Sequence, residues 1–147
     1  MNVNNSKSSD LISIVGYGTF ITRMLWKDKA NVEVCLVKNF TRIYPRGSWF
    51  PYALKSNSSF KALKFDIKEQ ELETLDIIEG VTNSLFKRVK IEILLNDNRS
   101  SSAFMYIPTE ETIMAQNLSL KLDKIDRWKD EIKKFPEIVR KFPKLIS

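Results

Sequence analysis

Apolar positions recur along this chain with two different spacings. The first run, Leu11–Tyr17 (LISIVGY), is short and rich in β-branched residues, the pattern of a buried strand. Glu33–Phe40 and the alternating Phe60–Ile67 are further strand candidates. Between them, Arg42–Ser59 holds Pro45, Gly47, Pro51 and several serines, and is expected to be an irregular loop. Its aromatics Tyr44, Trp49, Phe50 and Tyr52 either cover the core edge or line a pocket, and core cover is the expected role. Residues 68–78 (KEQELETLDII) put Leu72, Leu75 and Ile78 on one helical face, with Gly80 as the stop. Phe86–Leu95 then alternates, Val89, Ile91 and Ile93 against Arg88, Lys90 and Glu92, as in a half-buried strand. A polar turn over 96–101 and a strand over Ser102–Ile107 complete a hairpin. Beyond it, Leu118, Leu122, Ile125, Ile132 and Phe135 keep a helical period, with Trp128 near the same face. Pro136 opens a second short helix, whose apolar side is Ile138, Val139 and Phe142, and Pro143 ends it. Strands, one helix, a hairpin and then helices predict an α+β chain with much antiparallel pairing.

Composition narrows the chemistry more than the fold. The 147 residues suit one domain, 43% hydrophobic and 29% charged. Residues 1–10 are mostly Asn, Ser and Lys and are expected to be disordered. The single cysteine, Cys35, permits no internal disulfide and suits a reducing cytosol; with no charged-then-apolar leader, a cytoplasmic location is expected. The chain has no histidine. That removes Ser-His and Cys-His nucleophile pairs and imidazole zinc sites, and leaves Asp, Glu, Lys, Tyr and the backbone for proton transfer. Neither a metal nor a cofactor is expected.

The net charge of +6 invites a nucleic-acid reading. Yet 121–147 carries nine Lys/Arg and five Asp/Glu, so +4 of the +6 lies in the tail, with signs interspersed as on a solvated helix face. Nucleic acid is therefore not an expected partner. Nor is a membrane, since a spanning helix needs ~20 mostly apolar residues. The letters Val15-Gly16-Tyr17-Gly18 match a channel filter, but no pair of spanning segments surrounds them. Nothing in the sequence sets an oligomeric state.

Two short stretches carry candidate chemistry. In Ile14-Val15-Gly16-Tyr17-Gly18-Thr19-Phe20 a strand runs into two of the four glycines. No third glycine and no Gly-Lys-Ser/Thr follows, so this is neither a dinucleotide fingerprint nor a P-loop. Either the glycines ease a strand exit, or the amides of Gly18, Thr19 and Phe20 form a nest for an anionic or carbonyl group. In Leu75-Asp76-Ile77-Ile78-Glu79-Gly80, Glu79 ends the apolar helix face. It is either an exposed helix-end glutamate or a half-buried carboxylate whose pKa burial has raised.

Together and in this order, these stretches resemble the gamma-glutamylcyclotransferase-like family. Tyr17-Gly18-Thr19-Phe20 is similar to its Tyr-Gly-Ser/Thr-Leu/Asn strand end. Leu75, Asp76, Glu79 and Gly80 match its Leu-Asp-x-x-Glu-Gly segment, and Phe86-Lys87-Arg88-Val89 stands where it has Tyr-x-Arg-Val. Phe50-Pro51-Tyr52-Ala53-Leu54 looks like its Tyr-Pro-x-Leu segment, and Ala103 and Tyr106 resemble the small residue and tyrosine of its closing strand. Three departures stand out. Phe86 replaces a tyrosine, Ala62-Leu63-Lys64-Phe65 stands where Gly-Glu precedes an aromatic, and Ile21–Trp26 lacks the usual glycine.

The resemblance spans 11–107 and implies a small mixed or antiparallel β-barrel flanked by helices, on which a helical extension over 108–147 is expected to pack. The tail lies outside the resemblance, and its helices are expected from its apolar period alone. The resemblance also implies one cavity and an internal reaction: the α-amine of a γ-glutamyl compound attacks its own γ-carbonyl, releasing an amine and 5-oxoproline. Glu79 would be the general acid/base, Gly18, Thr19 and Phe20 would hold the glutamyl end, and Tyr17 and Tyr106 would line the cavity or belong to the core. The expected partner is a small γ-glutamyl substrate. The alternatives are a ligand- or protein-binding module on the same fold and, further off, a nucleic-acid binder using the basic tail and the Trp49/Tyr52 loop.

Overall fold

Period-two alternation in the strands sorts side chains onto two faces, and closure of the sheet turns those faces into an inside and an outside. The structure, a computed structural model, describes residues 10–122 and 125–147. The expected disorder of the N-terminus falls on 1–9, outside the described residues. Five strands, β1 (Ile12–Gly16), β2 (Ala30–Ile43), β3 (Tyr52–Ile67), β4 (Phe86–Leu95) and β5 (Ser100–Pro108), close a barrel in the order β1-β3-β2-β4-β5. All neighbours are antiparallel except β1 and β5, which close it in parallel at Ile14 and Phe104. The expected α+β barrel flanked by helices is the observed architecture.

Val15, Val37, Ala62, Ile93 and Met105 pack together inside the barrel. Their sequence neighbours Ile14, Leu63 and Tyr106 point outward into a second cluster with Phe65 and Ile67. That outer cluster is completed by Leu72 and Leu75 of the helix Glu69–Ile78 and by Trp128, Ile132, Ile138, Phe142 and Leu145 of the tail. The tail thus belongs to the main core.

Two expectations are corrected. Arg42–Ser59 is not an irregular loop: β2 runs to Ile43 and β3 starts at Tyr52, with Arg42 opposite Ala53 and Phe40 opposite Lys55. Antiparallel ladders bond through the backbone, so exposed serines and Asn57 are tolerated in this ribbon. The punctuating residues Pro45, Gly47 and Pro51 are confined to the connection between Ile43 and Tyr52.

The helical period across 118–135 is likewise not one helix. The chain forms α1 (Thr19–Thr22), α2 (Glu69–Ile78), α3 (Glu110–Ala115), α4 (Trp128–Lys133) and α5 (Pro136–Lys141). Asn117 ends α3 with φ 55, while the Asn117 amide donates to the Met114 carbonyl and the Leu118 amide to that of Ile113, a Schellman stop. Leu118 is buried against Ile43 and Tyr52, but Leu122 and Ile125 are 45% and 75% exposed.

Candidate active site

At one end of the barrel the strands open onto a cavity of about 830 Å³. Tyr17, Gly18, Thr19, Phe20, Glu79 and Tyr106 all line it, so the structure brings every candidate side chain to one place.

The turn after β1 is built by close approach. Gly18 has φ −128, outside the left-handed region, and a Cβ there would lie 2.8 and 2.9 Å from Pro51 Cδ and Cγ. Glycine is needed because the Pro51 ring sits on it. The Gly18 carbonyl accepts from the Ile21 amide (2.9 Å), starting α1. The amides of Thr19 and Phe20 have no backbone acceptor among the described residues. Beneath the turn, buried Arg42 donates from Nη1 to the Tyr17 carbonyl (2.7 Å), and from Nε and Nη2 to the Asp126 carboxylate (2.9 and 2.5 Å). A tail residue therefore helps to hold the strand exit.

Glu79 is placed by a second Schellman stop. The Gly80 amide donates to the Ile77 carbonyl (3.1 Å) and the Val81 amide to that of Asp76 (2.9 Å), with Gly80 at φ +69. This ends α2 and leaves the Glu79 side chain at the cavity wall. Its carboxylate has no ion-pair or hydrogen-bond partner among the described residues, and burial pushes its pKa from 4.5 up to about 7.

Tyr17 and Tyr106 are both core and cavity residues. The buried Tyr17 hydroxyl donates to the Tyr106 carbonyl (2.8 Å), and burial, with the nearby Glu79 charge, holds it protonated far above the usual phenol range. The Tyr106 hydroxyl donates to Asp76 (2.6 Å), whose other oxygen accepts from Arg88 (2.5 Å). Burial and this bond to Asp76 raise its pKa as well. Asp76 and Arg88 were visible as letters of motifs, but their task of fixing Tyr106 was not, because it joins residues far apart in sequence.

The loop aromatics correct a further expectation. Trp49, Phe50 and Tyr52 line the cavity together with Phe86, whose ring stacks on Tyr52 (centroids 5.8 Å, planes 13° apart). Tyr52 and Phe50 also pack in the cluster of Ile43 and Leu118, and Tyr44 turns to the main core, edge-on to Trp128. Among the described residues, the charged ones on the wall are Arg23, Glu79 and Glu111. Among the described residues, no three His, Cys, Asp or Glu side chains cluster as a metal site.

The profile of the family described as gamma-glutamyl cyclotransferase, AIG2-like, matches residues 15–130. The chain belongs to this family. The matched span reaches from the strand before Gly18 past Asp126 and Trp128 to Asp130, so the family unit includes the first part of the tail. A search of curated protein sequences gives no match. Solved structures share the gamma-glutamyl cyclotransferase fold. An Arabidopsis thaliana protein solved in solution is 17% identical, with TM-score 0.63, over 96% of this chain and 95% of its own. A Mus musculus AIG2-like protein is 17% identical, with TM-score 0.58, over 76% and 82%. A yeast gamma-glutamyl cyclotransferase specific to glutathione is 10% identical, with TM-score 0.60, over 92% and 89%. As in the rest of the described chain, no helix here is long and apolar enough to cross a membrane.

Proposed function

We propose that this protein is a cyclotransferase that converts a γ-glutamyl amine or peptide into 5-oxoproline and the free amine. The observation that carries the reading is Glu79, a carboxylate with no partner among the described residues, titrating near 7 on a cavity wall shared with the Gly18–Phe20 turn. The nucleophile is the substrate's own α-amine, so the chain needs no serine, cysteine or histidine. Glu79 takes a proton from the α-ammonium. The amine then attacks the γ-carbonyl and the new ring C–N bond forms; Glu79 returns its proton to the leaving nitrogen as the old C–N bond breaks, then carries the ring nitrogen's second proton to the released amine. The protons lost by the α-ammonium are those gained by the released amine, and Glu79 ends as it began. A base near 7 suits this shuttle better than one near 4.5. The amides of Thr19 and Phe20 serve the glutamyl end and the developing oxyanion, and holding the substrate folded supplies effective concentration. The single cysteine, buried and with its thiol pushed up to about 12 by burial, suits work in the cytoplasm.

The test is incubation with a panel of γ-glutamyl compounds, reading 5-oxoproline by mass spectrometry. Wild type is expected to release it, and Glu79→Gln to be slower by ~10²–10⁴-fold. Equal rates would remove Glu79 from the mechanism. Phe86 in place of the family's tyrosine favours a second reading, a ligand-binding module with little turnover. That reading takes first place if wild type binds γ-glutamyl compounds and releases nothing.

A further inference from the structure

The wall of the cavity says which amine is released. Resting on the cyclotransferase reading of the same site, we infer that the leaving amine carries a bulky apolar, preferentially aromatic, substituent and no carboxylate of its own. The first observation is the charge on the wall. Among the described residues Arg23 is its one cation, against Glu79 and Glu111. A γ-glutamyl amine brings one carboxylate, that of the glutamyl unit, and Arg23 can serve it. A γ-glutamyl amino acid brings a second, which finds no further cation among the described lining residues and shares the wall with the carboxylate of Glu111. Bringing an anion out of water without a partner is costly.

The second observation is what surrounds the proton carrier. Glu79 protonates the leaving nitrogen, so that nitrogen's substituent lies beside Glu79. There the rim is apolar. Ile78, next in sequence, is 59% exposed, and Leu85, against Gly80, is 53% exposed. Trp49 also lines the cavity and is 64% exposed, its indole edge-on to Phe50 (5.0 Å) and faced by the Arg23 guanidinium (5.2 Å). Large apolar side chains left open around a concave site mark where an apolar ligand group is covered.

The experiment compares kcat/KM for γ-glutamylphenethylamide, γ-glutamylethylamide and γ-glutamylphenylalanine. The first pair differs by a ring, and the first and third differ by a carboxylate. The phenethylamide is expected to exceed the ethylamide by about ten- to hundredfold, the range for covering one aromatic ring, and to exceed the phenylalanine compound by about tenfold or more. Trp49→Ala, at an exposed position, should shrink the ring advantage several-fold. If the ethylamide or the phenylalanine compound is turned over as fast as the phenethylamide, the inference falls and the cyclotransferase reading stands. If nothing is turned over, binding decides separately. γ-Glutamylphenethylamide is added while tryptophan fluorescence is followed, with Trp49→Phe identifying the responding indole. Quenching that the ethylamide does not reproduce would keep the apolar subsite and remove the cyclotransferase reading. No quenching would overturn the subsite.

Discussion

Glu79→Gln separates the electrostatics of this site from its chemistry, because it acts on stability whether or not a substrate is known. In the folded chain the Glu79 carboxyl titrates at about 7, against an ordinary 4.5, because burial penalises its charged form. At about 1.4 kcal/mol per pH unit that gap is worth ~3 kcal/mol. The folded state holds the proton more tightly than the unfolded state, so unfolding releases it between pH 4.5 and 7, and wild-type stability falls as pH rises through that window. Below the window both states are protonated and there is no penalty. Above it the whole ~3 kcal/mol is lost. Glutamine is neutral throughout and similar in shape. The variant should therefore match wild type near the low end and exceed it above the high end by ~3 kcal/mol, or ~10 °C in Tm for a chain of this length. Other carboxylates titrate alike in both proteins and cancel in the difference. The assay is thermal unfolding of the pair by circular dichroism across this range. A difference that does not change with pH, or a variant less stable than wild type at the alkaline end, would refute the burial argument. The same group should set the acid limb of kcat/KM, with activity lost as pH falls below about 7.

Asp126→Ala leaves the buried Arg42 guanidinium without its carboxylate and should cost ~3 kcal/mol in denaturant unfolding; a loss below ~1 kcal/mol would show that Arg42 needs no tail partner. Gly18→Ala drives a methyl group into the Pro51 ring and should cost ~1–3 kcal/mol and weaken ligand binding. Unchanged binding and stability would return the turn to an ordinary strand exit. Deleting everything after Pro108 removes Trp128, Ile132, Ile138, Phe142 and Leu145 from the main core and should give an aggregating chain; a soluble product as stable as the parent would mean that the tail is not docked.

Local periodicity and caps were enough to place β1, the Glu69–Ile78 helix with its glycine stop, and the β4–β5 hairpin, because each is specified by residues that touch along the chain. Counting residue types was enough to exclude histidine chemistry, and the order of the two short motifs was enough to nominate Glu79 and the Gly18 turn. The full length of the β2–β3 ribbon was not legible: Glu33–Phe40 and Phe60–Ile67 read as strands, but the serines between them and the nearby prolines read as loop, and only pairing across the sheet makes 41–43 and 52–59 strand. The tail misled in the opposite direction. A helical period ran through Leu122 and Ile125, but Asn117 in a left-handed stop ends α3, and both side chains lie in solvent. The site itself was decided by tertiary structure. Pro51 against Gly18, Arg42 between Tyr17 and Asp126, and Asp76 with Arg88 under Tyr106 are contacts between distant positions. The burial that lifts the Glu79 pKa is likewise a property of the closed barrel end and its neighbours, which no stretch of sequence contains by itself.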